Sequence, residues 1–402
     1  MTAASNAPRR DSYDVVIVGG AVMGSSIAWA LSASDGFDGS VLVVERDPTY
    51  SYASTTHTNS CMRQQFSNPL NVQISRFSAD FVRNFRECLG GDPEIPDIFV
   101  HHFGYMYLAA DEDFADTLRR NQAVQADLGS GTRIMSPAEI KADYPFYNVD
   151  DILCGSHNLT DEGYFDSGTM FDWWRRKARQ NGVTYITDEV VDLVISAGRV
   201  TSAVLASGRE VGCGTLVNAA GPRAVEVARM AGATLPVEPR KRYTFIFDAA
   251  EPLDRALPLT IDPTGVHMRS DGDAYMCGCT PDVDPAVDYD DFAMDHDIFE
   301  AKVWPVLAHR VPAFERLKVT RQWAGHYAYN TLDHNVVVGP HHEVENFVFA
   351  NGFSGHGMQQ SPAIGRAVSE WIAYGEYRTL DLTPLGYQRI VDRTPFVESA
   401  II

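Results

Sequence analysis

The sequence lacks any apolar run near the ~20 residues that a helix needs to cross a bilayer. Membrane insertion is therefore not expected. Positive charge is also scarce: 33 Lys and Arg face 53 Asp and Glu, a formal net charge of -20. A field of that sign repels nucleic acid and anionic membranes, so neither is expected as a partner. The six cysteines show neither disulfide-framework nor zinc spacing. Cys277 and Cys279 sit two apart in a strand pattern and share a face. A reducing, cytoplasmic compartment is the expectation. The opening MTAASNAPRRDSYD has no apolar core for a signal peptide and reads as a short flexible tail. Internal repeats and low-complexity segments are absent too. What is present is ordinary for a globular chain: 402 residues, 45% apolar and 21% charged, enough for two or three domains or one large two-lobed unit.

The strongest local signal is YDVVIVGGAVMGSSIAWALSA, a buried apolar strand, a glycine turn and a helix. Gly19, Gly20 and Gly24 make the turn, with Met23 inside it, and Ala21 stands where the middle glycine of G-x-G-x-x-G is usual. A second strand, SVLVVERD, ends in Glu45 and Arg46, and Glu45 lies 21 residues after Gly24. That is a dinucleotide layout, with pyrophosphate over the helix start and an acid on the adenosine ribose. Two later segments read as returns to the same sheet. One runs from the strand at Val190 to Ala220-Gly221-Pro222. The other, DHNVVVGPHHEVENFVFANGFSGHG, ends in a loop where Gly352, Gly355 and Gly357 bracket Ser354 and His356. Glycines there let backbone approach a ligand, and the helix beyond offers free N–H groups to a negative one. An unrelated β-rich C-terminal domain is the alternative reading.

Four motifs in order carry a family resemblance: the glycine turn with Glu45; ASTTHTNSCMRQQFS; TLVNAAGP; and RQWAGHYAYNTLDHNVVVGP followed by GFSGHGMQQSP. From Tyr13 to about residue 390 the chain resembles the FAD-dependent family of D-amino-acid and glycine oxidases, sarcosine oxidase and dimethylglycine dehydrogenase. PVEPRKRY, SCMRQQFS and GHGMQQSPAIGRAV bring it nearest the branch with a mitochondrial FAD-dependent oxidoreductase-domain protein linked to complex I assembly. The resemblance implies an α/β fold: a Rossmann-like FAD lobe (12–90, 150–238, 320–390) interleaved with a substrate lobe on a mainly antiparallel sheet (91–149, 239–319). Coarse patterning fits. FGYMYLAAD, KRYTFIFDA, GVHMRS and AYMCGCTP read as strands, DEDFADTLRRNQAVQADLG as a helix, and SPAEIKADY as a helix opened by a capping box. DYPFYNVDD and PDVDPAVDYDD read as surface loops, the latter a solvated connection rather than a metal site.

The resemblance also implies FAD and a hydride taken from a carbon bearing an amine, giving an imine that hydrolyses. Around the cofactor it places, besides the turn, Ser54, Thr55, Thr56, His57, Ser60, Cys61 and Met62. It adds Val190, Ala220, Gly221, Gly325, and the run Gly352, Phe353, Ser354, Gly355, His356, Gly357, Met358, Gln359. That last loop would lie beside the flavin ring, where its N–H groups favour the negative charge of reduced flavin. His57 aligns with the segment in which dimethylglycine dehydrogenase attaches FAD covalently; it either forms such a tether or only lines the groove. His326 stands where relatives carry a tethering cysteine. Arg63 matches the arginine that binds substrate carboxylate in the sarcosine branch, with a structural salt bridge as the alternative. Tyr327 replaces an arginine of the primary-amino-acid oxidases, and Gln359 a lysine of the sarcosine branch. His267 and Arg269 share a strand face that either holds a second substrate acid or meets solvent. Lys241 reads as structural. Met276 aligns near a lysine that promotes reaction with oxygen in sarcosine-type oxidases, with a shift of two residues left open. The implied substrate is a small carboxylate-bearing amine, and electrons go to oxygen or another carrier. An FAD-binding assembly protein and an NAD-linked dehydrogenase are the competing classes.

Overall fold

In the sheet that begins the chain, β-branched residues form the strand Ser12–Val18, whose Val16 and Ile17 are fully buried. This computed structural model describes residues 7–399; the first six residues of the expected tail lie outside them. Val41–Glu45 and Thr184–Thr187 extend the sheet on one side in parallel register. Glu210–Asn218 pairs in parallel on the other, and its end pairs in parallel with Phe347–Asn351. The meander Val190–Ser196 and Arg199–Leu205 joins the start of Glu210–Asn218. Residues far apart in sequence thus return to one sheet. This is the Rossmann-like lobe, and the C-terminal strand belongs to it, not to a separate domain.

Two helices cross over this sheet. Val22–Ser32 follows the first strand, and Gly357–Tyr374 packs against it, with Ser26 Oγ donating to the Ser361 carbonyl at 2.7 Å. The second begins well before Pro362. Proline cannot donate to the Met358 carbonyl, and the Ser361 hydroxyl does so instead, at 2.7 Å. The capping box forms as patterned: Glu139 N–H donates to Ser136 Oγ, and Ser136 N–H to Glu139 Oε2 at 2.7 Å.

The second sheet has eight strands and is antiparallel apart from one parallel pair, Leu259–Ile261 with Tyr105–Ala109. Its spine is the ladder between Val237–Ala249 and Leu317–Asn330. Two expected boundaries cut through it. Cys154–Asn158, placed after the boundary at 150, pairs with Tyr105–Ala109 in this sheet. Leu317–Asn330 spans the boundary at 320 as one strand. Strand pairing, which local patterning does not reveal, decides both. Cys277 and Cys279 share a buried face of Ala274–Cys279, and all six cysteines are free thiols. No described helix is long and apolar enough to cross a membrane.

Candidate functional site

One cavity of about 1210 Å³ is lined from both sheets. Its volume exceeds the roughly 300–1,000 Å³ of ordinary small-ligand pockets. At one end stands the N-terminal turn. A Cβ on Gly24 would lie 1.9 Å from the Gly19 carbonyl oxygen, so only glycine lets the helix leave the strand this tightly. Ala21 caps the helix without a side-chain acceptor and lines the cavity. Thr55 Oγ1 takes the Val22 N–H at 3.2 Å. Glu45 accepts from Gly20 N–H at 2.7 Å and Asp47 N–H at 2.8 Å, and burial raises its carboxyl above the ordinary value. Arg46, Ser54, Val190, Ala220 and Gly221 line the same part.

At the other end lies the C-terminal glycine loop. The Gly357–Tyr374 helix starts at His356 with no side-chain cap, and Ser354, Gly355, Gly357 and Met358 face the cavity. Ser354 N–H donates to the Ala328 carbonyl and Ser354 Oγ accepts from Asn330 N–H, tying the loop to the long ladder. Gly355 has φ +95°, and a Cβ there would stand 2.5 Å from the Tyr327 ring. Two helix N-termini without a cap from their own N-cap residue therefore open on one cavity, each suited to negative charge.

Arg63 is buried on the wall nearby (1% exposed). Its Nη1 donates to the Gln65 carbonyl at 2.9 Å and to the Tyr107 hydroxyl, and its Nη2 to His356 Nε2 at 2.8 Å. The guanidinium also lies 4.1 Å from the Phe66 ring centre. Gln359 Oε1 accepts the Arg63 N–H at 2.8 Å, so its amide oxygen is committed to backbone. Burial, with Arg63's charge second, pushes His356 well below its ordinary value, so it is neutral. Behind Arg63, Glu162 accepts from Gln64 N–H at 2.6 Å, Gln65 Nε2 at 2.9 Å and Asn158 Nδ2 at 3.2 Å.

Glu162 makes a pH prediction. Burial pushes its carboxyl up to about 7, against the Gln65 and Gln64 hydrogen bonds and Arg63's charge. Unfolded, it titrates near 4.5. Between those values the folded chain holds more protons than the unfolded one, so stability falls as pH rises from about 4.5 to about 7. The ceiling is on the order of 3 kcal/mol. Thermal melts across that window should show a shallower fall for Glu162→Gln than for the native chain. Identical slopes would reject the assignment.

Several expected positions lie elsewhere than assigned. Arg269 neither reaches the cavity nor meets solvent. It is buried, donating to the Ser270 carbonyl, Asp271 and the Asn59 carbonyl, because the segment before Cys61 folds over its strand. His267, on the same face, does line the cavity; Asn59 Nδ2 lies 3.2 Å from its Nε2, and burial lowers it to about 4. Gly20, Gly24, Thr56, Met62 and Gly352 stand behind the wall rather than on it. Cys61 is on the wall, but burial raises its thiol to about 11, so it is no thiolate. Ser60 and Gly325 also line it. Met276 does not; Gly278, two residues on, pairs with His267 on the neighbouring strand. No lysine lines the cavity among the described residues. His326 donates from Nε2 to the Asp291 carbonyl at 2.8 Å. Lys241 is held by Asp291 at 2.6 Å.

Residues that sequence reasoning missed include Arg242, Thr244, Tyr105 and Tyr289, all on the wall. Alternation along KRYTFIFDA could have placed Arg242 and Thr244 on one face. The acidic stretch around Tyr289 is largely exposed, as a solvated connection would be, and it also pairs with Arg46 and Arg223 on the wall and with Lys241. No group of residues suited to a metal ion occurs among those described.

These features fit FAD. The tight turn, the carboxylate at the second strand and the two uncapped helix starts would hold its nucleotide and ring ends. A family model described as FAD dependent oxidoreductase matches residues 14–371. FAD-dependent oxidoreductase domain-containing protein 1 of Xenopus laevis is 41% identical over 97% of the chain and 85% of that protein. Sarcosine dehydrogenase of Mus musculus is 25% identical over 92% of the chain but only 40% of its own length. The crystal structure of L-proline dehydrogenase from P. horikoshii superposes with a TM-score of 0.83 at 25% identity, covering 95% of this chain and 98% of that one.

Proposed function

The chain belongs to the FAD dependent oxidoreductase family, and from that premise we propose that it oxidises the C–N bond of an amino acid or N-substituted amino acid. FAD supplies the two-electron acceptor when bound. The chain's residues bind, orient and shield. The helix start at His356 would favour negative charge on the cofactor's ring side. The observation that carries the reading is Arg63. Its guanidinium is fixed on the cavity wall next to that loop by Gln65, Tyr107 and His356, and would present its positive charge to the carboxylate of a bound amine. Burial keeps His267 and His356 neutral, so neither would place a second positive charge beside the amine. Sarcosine dehydrogenase and L-proline dehydrogenase, both similar to this chain, are named for substrates of this class.

The test is an anaerobic screen of amino acids and N-alkyl amino acids that follows flavin absorbance. Bleaching by a carboxylate-bearing amine, faster at higher pH as its ammonium deprotonates, is expected. No bleaching by any amine would favour an FAD-binding assembly role instead. Because no lysine lines the described cavity, reduced protein should pass electrons to a dye or quinone faster than to oxygen. Reoxidation in air at oxidase-like rates would overturn that part.

We propose His57 as the site of covalent FAD attachment. Its Nδ1 lies 3.0 Å from the Ala53 carbonyl, which can only accept, so Nδ1 carries the proton. That leaves Nε2, on a ring of the cavity wall, to bond the flavin's 8α-methyl carbon in place of one C–H; the proton would pass to solvent and the two electrons to the flavin itself, which oxygen or another acceptor would then reoxidise. Acid-precipitated protein should stay yellow, and His57→Ala should release its flavin. A colourless precipitate from fully loaded protein would exclude the linkage.

A further inference from the structure

The segment 281–295 leaves the second sheet after Cys279 and is largely exposed, but several of its side chains pair with residues around the cavity. Asp290 lies 3.0 Å from Arg223 and 3.5 Å from Arg46, both on the nucleotide end of the wall. Arg223 also sits 4.5 Å over the Tyr289 ring, and Tyr289 lines the cavity. Asp291 takes Lys241 Nζ and the His326 Nε2–H. Phe292 stacks on His326 at 4.1 Å and 16°, and on His57 at 5.7 Å and 27°, with Tyr52 tilted beside it at 5.1 Å. Asp284 accepts both guanidinium nitrogens of Arg242 at 2.8 and 3.0 Å. Arg46 follows the strand Val41–Glu45 and Arg223 follows Glu210–Asn218, so the segment ties the second sheet to two strand ends of the first.

We infer that residues 281–295 form a strap that closes over the nucleotide part of the cavity and governs how FAD is loaded and kept. A chain whose net charge is -20 would gain by keeping so acidic a stretch away from a pyrophosphate site. Its aspartates sit there because they neutralise Arg46, Arg223, Lys241 and Arg242, while Tyr289 and Phe292 supply ring surface. One fastening is built to open. The Asp290 side chain is 78% exposed, and an ion pair that exposed holds weakly. Stacking of Phe292 between two imidazoles supplies the closer contact. The inference rests on FAD in this cavity but not on the amine reading, and holds whatever substrate is oxidised.

Hydrogen–deuterium exchange of the strap tests it. FAD-loaded protein should exchange amides in 281–295 at least tenfold more slowly than protein from riboflavin-starved cells. Loaded Asp290→Asn/Phe292→Ala protein should lose at least threefold of that protection while strands of the first sheet exchange as before. Equal exchange of the segment with and without FAD would overturn the inference. So would a loaded double variant that protects the segment as well as the native chain does. The second comparison uses only loaded protein, so it decides even if FAD-depleted protein fails to fold, and the exchange readout does not depend on whether FAD is covalent.

Discussion

Gly24→Val is expected to purify colourless and to fail to take up added FAD. The first side-chain carbon would lie 1.9 Å from the Gly19 carbonyl oxygen and 3.2 Å from Ile17 Cγ2. The closer atom is backbone in the turn itself, so no rotamer change relieves the clash. Either the helix Val22–Ser32 moves off the strand Ser12–Val18 or the turn opens. Both displace the Gly20 N–H that holds Glu45 and the uncapped helix start together. Affinity should fall at least about 1000-fold, or about 4 kcal/mol. Equilibrium dialysis with FAD measures it, and far-ultraviolet circular dichroism checks that the chain folds. Gly24→Ala, with the same first carbon, should fail in the same direction. A folded Gly24→Val protein with native FAD content would reject this role for the turn.

Arg63→Met should cut capture of a carboxylate substrate by about 30- to 1000-fold. A charge-assisted contact in a partly dehydrated cleft is worth roughly 2–4 kcal/mol against an unpaired carboxylate, and each 1.4 kcal/mol is tenfold. Burial adds a consequence. Removing the guanidinium also strips donors from the Gln65 carbonyl, Tyr107 and His356, and takes a nearby positive charge from Glu162. The melting temperature should therefore fall as well, and kinetics must be read on loaded protein well below it. A matched amine without the carboxylate separates the effects: it should lose far less, because it never used the contact. Arg63→Lys should recover only part, since an ammonium cannot also hold the Gln65 carbonyl, Tyr107 and His356 as the planar guanidinium does. Native kinetics of fully loaded Arg63→Met on a carboxylate substrate would show that Arg63 is not the anchor. Arg242, on the wall and paired with Asp284, would then be the next arginine to test; Arg269 would not, being tied behind Asn59.

The sequence by itself determined the parts of this protein that local chemistry controls. The strand–turn–helix at Ser12–Ser32 follows from an apolar run broken by glycines, and Glu45 follows from the end of the next apolar run. The capping box at Ser136 and Glu139 follows from side chains three residues apart. The glycine loop before the Gly357–Tyr374 helix was legible for the same reason. Tertiary structure alone decided what long-range pairing controls. Strand alternation placed His267 and Arg269 on one face, but Asn59, from over two hundred residues away, buries one and leaves the other on the wall. The ladder between Val237–Ala249 and Leu317–Asn330 settled where the sheets divide. The acidic stretch is solvated as its composition suggests, but composition reports charge without its partners. Arg46, Arg223, Lys241 and Arg242 come to it only when two sheets meet around one cavity.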